Sequence, residues 1–132
     1  MIGLLPRCLS LCLTMVFAVL VVFISTARAQ DISVKAVVNY SRYEGSCPAN
    51  LRFTGNIRVD LRVASYNYQW ERSDGAKSEL KVVRVSNGSS RVLVIHEDWQ
   101  LGRPGRVWER LRVRTGNIDV SSEPANVTVE CK

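Results

Sequence analysis

Catalysis or metal binding in a short chain needs a few side chains of the right type close together, and the first cluster to weigh is His96-Glu97-Asp98, the only histidine followed by two acids. Catalytic zinc takes three protein ligands at defined spacing. No second histidine completes such a set, so the triplet reads as an exposed strand end, and no metal or other cofactor is expected. A Ser-His-acid nucleophile would have to use the same histidine, without any Gly-x-Ser-x-Gly turn to present the serine. Glu71 and Glu109 could pair as carboxylates across neighbouring strands, but glycosidases that work this way are normally much larger. The expectation is a protein without catalytic residues.

Recognition is better served. Trp70, Trp99 and Trp108 are the three indoles. Trp70 ends the alternating row Tyr66, Tyr68, Trp70, where sandwich domains bury a tryptophan, and Trp99 reads as a core or loop-plug residue. Those four form the expected aromatic core. Trp108 has the parity of Arg110, Arg112 and Arg114 and opposes Leu111 and Val113. Alternation puts it outside, whereas a bulge after Gly105 would turn it inward. The candidate ligand face is therefore Trp108, Arg110, Arg112 and Arg114, with the arginines about 7 Å apart along a strand. Ser65, Asn67, Gln69 and Glu71 would flank them if their strand is the neighbour. Solvated strand faces often carry arginine; the sharper reading is a cationic strip for an anionic or carbohydrate polymer of the cell envelope, or for an envelope protein. Arg52, Arg58 and Arg62 would make a second row on the other sheet. Asn39-Tyr40-Ser41, Asn87-Gly88-Ser89 and Asn126-Val127-Thr128 fit the N-glycosylation sequon, which matters only in a eukaryotic host.

The compartment comes from the first 29 residues. Arg7 precedes an apolar run from Leu9 to Ile24, and Ala27-Arg28-Ala29 places small residues where a signal peptidase reads. Cleavage is expected before Gln30; the alternative is an uncleaved N-terminal anchor. Either way the rest, residues 30–132, is exported to periplasm or medium. Its 103 residues suffice for one domain. Cleavage removes Arg7 and Arg28 from 18 basic residues and none of the 12 acidic ones, so the net charge falls from +6 to +4. That is too little to suggest nucleic-acid binding. Cys8 and Cys12 leave with the signal. Cys47 and Cys131 remain, and in an oxidising compartment they are expected to be bonded.

Apolar residues in this part recur at every second position, as in strands. Ile32 to Tyr40 alternate, as do Leu51 to Val63; the parity then flips, with Ala64, Tyr66, Tyr68 and Trp70 as the next set. The flip predicts a bend near 60–64. Strands are expected over 80–85, over 91–97 as a continuous apolar run suited to a central position, from Val107 to Val113, and from Ala125 to Cys131. The sum is an all-β, seven-stranded antiparallel immunoglobulin-like sandwich, stapled where its second strand starts and its seventh ends.

Tyr68-Gln69-Trp70-Glu71-Arg72-Ser73-Asp74-Gly75 resembles the Y-x-W-x-F-G-D-G signature of PKD domains, and Pro104-Gly105 with Val107, Leu111 and Val113 resembles their P-G-x-Y-x-V-x-L-x-V strand. Arg72 and Ser73 stand where that family has Phe and Gly, Val107 where it has Tyr, and Glu109 where an apolar residue is usual. Cys47-Pro48, the Trp99 to Gly102 stretch and the final cysteine are also similar to small secreted bacterial proteins. The resemblance implies a non-catalytic binding or spacer module. Export, the sandwich pattern and the missing catalytic set lead to the expectation of an adhesion-type or other binding module, monomeric and with no membrane contact once the signal is removed. A secreted protease inhibitor is the alternative, with Leu101 to Arg106 as its loop, although the Asn-Pro-Thr-Thr-Gly loop of chagasin-type inhibitors is absent.

Overall fold

A computed structural model of the chain describes residues 32–60, 62–86 and 91–132. The expected signal segment, Leu61 and the Asn87 sequon lie outside them. Nine strands and no helix are found among the described residues: β1 (Ser33–Val38), β2 (Arg42–Gly45), β3 (Ala49–Arg58), β4 (Ser65–Arg72), β5 (Lys81–Arg84), β6 (Val92–Leu101), β7 (Gly105–Thr115), β8 (Ile118–Ser121) and β9 (Ala125–Cys131). One sheet runs β1-β3-β6; the other runs β2-β9-β7-β4-β5, with β8 also beside β7.

Period-2 sequence becomes two packed layers because each strand turns one parity inward. In β3 the inward set is Ala49, Leu51, Phe53, Gly55 and Ile57, all buried. They meet Tyr66, Trp70, Leu111, Val113, Val127 and Val129 of the six-stranded sheet. The absence of a side chain at Gly55 is a packing requirement: a Cβ there would lie 2.5 Å from Leu111 Cδ2 and 3.2 Å from Trp70 Cζ2. The parity flip falls at a turn, as the sequence predicts. Val63 N donates to Asp60 O, and the Tyr66 hydroxyl accepts from Asp60 N at 2.8 Å and donates to Asp60 O at 2.9 Å. Tyr66 and Trp70 are buried, and Tyr68 and Trp99 half-buried against the core.

The expected seven antiparallel strands are corrected to nine, one pair of which is parallel. β2 runs parallel to β9, from Arg42 opposite Thr128 to Gly45 opposite Cys131, and β8 forms a hairpin with β7 around Gly116 (φ +55°). Both are four residues long, too short to display a period. β6 is also not central. It pairs only with β3 among the described residues and forms a sheet edge, with Val94 55% exposed. Only Leu93 and Ile95 of its apolar run face inward.

β7 shares one edge between two partners. Its first half, Gly105 to Glu109, pairs with β9, and its second half, Arg112 to Thr115, with β8. Buried Ser122 bridges the gap, its N–H donating to Leu111 O at 2.8 Å and its Oγ accepting from Leu111 N at 3.0 Å. The Cys47–Cys131 disulfide, with Cα atoms 5.4 Å apart, ties the lead into β3 to the end of β9.

Candidate functional site

The expected face is assembled as a unit. β4 and β7 are neighbours, with Asn67 opposite Arg114, Gln69 opposite Arg112 and Glu71 opposite Arg110. Trp108 lies on the same face, half-buried, opposite Asn126 of β9. Ser73 holds its backbone from the side: Ser73 N donates to Trp108 O, and Trp108 N donates to Ser73 Oγ. No inward bulge occurs, and the Arg110 guanidinium sits 5.8 Å from the indole centroid.

A bare cationic strip is nevertheless not what the arginines make. Arg110 Nη2 lies 3.3 Å from Glu71 Oε2, and Arg112 Nη1 3.9 Å from Glu71 Oε1. Arg112 grips Asp119 with two bonds of 2.8 and 2.6 Å, and Arg114 Nε reaches the same carboxylate at 3.2 Å. Hydrogen bonding from Arg112 holds the Asp119 carboxyl below the usual carboxylate range. Three guanidiniums thus share two carboxylates. Sequence reasoning missed Asp119 because β8 was not recognised as a strand.

Charge without a counter-ion begins one step further along β7. Arg106, exposed and two residues before Trp108, has no ion pair among the described residues and stands opposite Thr128. Arg106, Ser41, Asn126 and Thr128 line a hollow of about 210 Å³. An indole, a free guanidinium, an amide and two hydroxyls are gathered at this corner.

Beneath it, on the inner side of the sheet, sits a cluster of ionisable side chains. Glu71 and Glu109 do not pair, because they occupy opposite faces. Glu109 is 0% exposed, between Val107 and Leu111 on the inward parity. Arg72 Nε donates to Glu109 Oε1 at 2.7 Å and Arg72 Nη2 to Glu97 Oε1 at 3.4 Å, while the guanidinium lies 4.8 Å from the Trp99 ring centroid. Glu109 Oε2 has no partner. Burial pushes the Glu109 carboxyl up to about 7, against the opposing pull of Arg72.

The three-stranded sheet scatters the other candidates. Alternation turns His96 and Asp98 outward and Glu97 inward, so the triplet cannot converge; His96 Nδ1 meets Thr54 Oγ1 at 3.1 Å, and Asp98 binds Arg52. Among the described residues no three His, Cys, Asp or Glu side chains gather as a metal site. The second arginine row is split, since Arg62 belongs to the 60–63 turn and pairs with Asp60.

No family model matches the chain, and no curated protein matches its sequence. Among solved structures it is similar to the CARDB domain of a Pyrococcus furiosus protein, crystallised with di-metal ions. The TM-score is 0.60 at 12% identity, over 78% of this chain and 96% of that one. The shared fold is an all-β sandwich of two sheets. In this sandwich two of the four departures from the pattern that resembles PKD domains, Arg72 for Phe and Glu109 for an apolar residue, are directly opposite each other across β4 and β7. A fully buried acid is thus met by a half-buried base. Two such departures in neighbouring strands were the signal from which sequence reasoning could have found the pair.

Proposed function

We propose that this immunoglobulin-like sandwich is an exported, non-catalytic binding module of PKD-like type, which holds an anionic polymer of the cell envelope at the Arg106–Trp108–Arg110 corner. Export is supported by the tripartite pattern of residues 1–29. The observation that carries the binding reading is the unpaired Arg106 beside an outward-facing Trp108 and a polar hollow. A guanidinium presents a planar fork of donors that suits a carboxylate or sulfate, and an indole offers a flat apolar face to a sugar ring. Arg112 and Arg114, already committed to Asp119, contribute less.

The test is titration of polygalacturonate and dextran sulfate at low ionic strength and again where the Debye length is about 8 Å. Binding should weaken as salt rises. R106Q/R110Q should lose at least about tenfold, since a hydrogen bond to a charged group is worth about 1.5 kcal/mol or more. R112Q/R114Q should lose less, and R52Q/R58Q nothing. Equal losses from all three pairs would reduce the effect to net charge, and no binding by the parent at low salt would overturn it. Finding the chain in the cytoplasm with its first residues intact would end the export reading.

A further inference from the structure

The opposite sheet carries a hollow of different chemistry. It measures about 600 Å³, within the range of about 300–1,000 Å³ usual for small-ligand pockets, and lies on the outer face of β3 and β6 beside the end of β1. Its side chains come in register: Asn50 is opposite Gln100, and Arg52 opposite Asp98. Asn39 walls one side and is held in place, its N–H donating to Arg52 O and its Oδ1 accepting from Arg52 N, both at 3.0 Å. Arg52 clamps Asp98 through Nε at 2.8 Å and Nη2 at 3.1 Å. That clamp keeps the Asp98 carboxyl below the usual carboxylate range, so it remains an acceptor at neutral pH.

The donors and acceptors left over decide what fits. The side chains of Asn50 and Gln100 have no hydrogen-bond partner among the described residues, and each amide offers two donors and one acceptor. Asp98 retains lone pairs beyond those Arg52 uses, and Asn39 retains its Nδ2 hydrogens. Arg52 and Asp98 cancel in charge, so the hollow is neutral. An ionic ligand of either sign would gain no net attraction, and an apolar one would strip water from amides without replacing their bonds. Neighbouring hydroxyls, each both donor and acceptor, match a surface that mixes the two.

We propose that this hollow binds a neutral polyhydroxylated ligand, a saccharide, held by Asn39, Asn50, Asp98 and Gln100 with Arg52 fixing the carboxylate. The site is independent of the polyanion corner and lies on the other sheet, so the two ligands do not compete. Trp99 borders the hollow, with its indole turned to the core side against Phe53.

The test uses cellohexaose, chitohexaose and maltohexaose, titrated into the exported form of the chain and followed by calorimetry. At least one should bind, with affinity the same at low and high salt. N50A/Q100A should weaken it tenfold or more with no change in unfolding midpoint, D98N should weaken it several-fold, and R106Q/R110Q should leave it unchanged. No binding by any of the three up to the millimolar range, wild-type binding by N50A/Q100A, or loss of binding on adding salt would each overturn the proposal.

Discussion

Replacing Glu109 by Gln should change how stability depends on pH more than it changes stability itself. In the folded protein burial raises this carboxyl to about 7 from an ordinary value of 4.5. A carboxyl raised on folding favours the native state in its protonated form. Its contribution is therefore fully present below about pH 4.5 and is lost as pH climbs through about 7. A tenfold change in acidity corresponds to about 1.4 kcal/mol, so the linkage loss between pH 4.5 and 8 is about 3 kcal/mol. Glutamine has the same shape, carries no charge and still offers an oxygen to Arg72, which keeps Glu97 as its counter-ion. Urea unfolding followed by tryptophan fluorescence across that range should show the wild type losing stability toward pH 8 while E109Q stays nearly level. The two curves should approach each other near pH 5. His96, the only histidine, is controlled by repeating the series in H96Q. Parallel wild-type and E109Q curves from pH 5 to 8 would refute the reasoning, because ionising Glu109 would then cost nothing on burial.

The disulfide closes a loop with a sequence separation of 84. Replacing Cys47 and Cys131 together by Ser should cost about 4 to 5 kcal/mol in the chain-entropy account, read as a lower urea midpoint with the oligomeric state unchanged; an unmoved midpoint would contradict it. Gly55→Ala forces a methyl against Leu111 and Trp70 and should cost about 1–3 kcal/mol. A thermal midpoint at the wild-type value would show that the two sheets separate there freely.

What could be read from the sequence divides along length and parity. Long strands declared themselves: β3 alternates over ten residues, and the flip before Tyr66 located a turn that Asp60 and the Tyr66 hydroxyl then make. The same alternation placed Trp108, Arg110, Arg112 and Arg114 on one face, with Asn67, Gln69 and Glu71 beside them. Four-residue strands carry too few positions to show a period, so β2 and β8 were not seen, and with β8 went Asp119 and the true charge of the arginine row. A continuous apolar run cannot say whether its second face is covered, which is why β6 read as central. The hollow on the three-stranded sheet escaped because its parts come from two strands and the residue after a third, and are ordinary surface residues singly.

The edge position of β6 gives His96-Glu97-Asp98 a meaning that neither metal nor proton chemistry supplied. An exposed strand ten residues long invites the backbone of another molecule to add itself to the ladder, and inward-pointing charge on an edge is one way proteins discourage this. At the middle of this edge an arriving strand would find His96 and Asp98 on one side and Glu97 on the other, the last already held by Arg72. Its own apolar residues would have to be laid against charges, on both faces at once. Where Val94 alone would offer an arriving strand an apolar contact, the three polar residues after Ile95 oppose one.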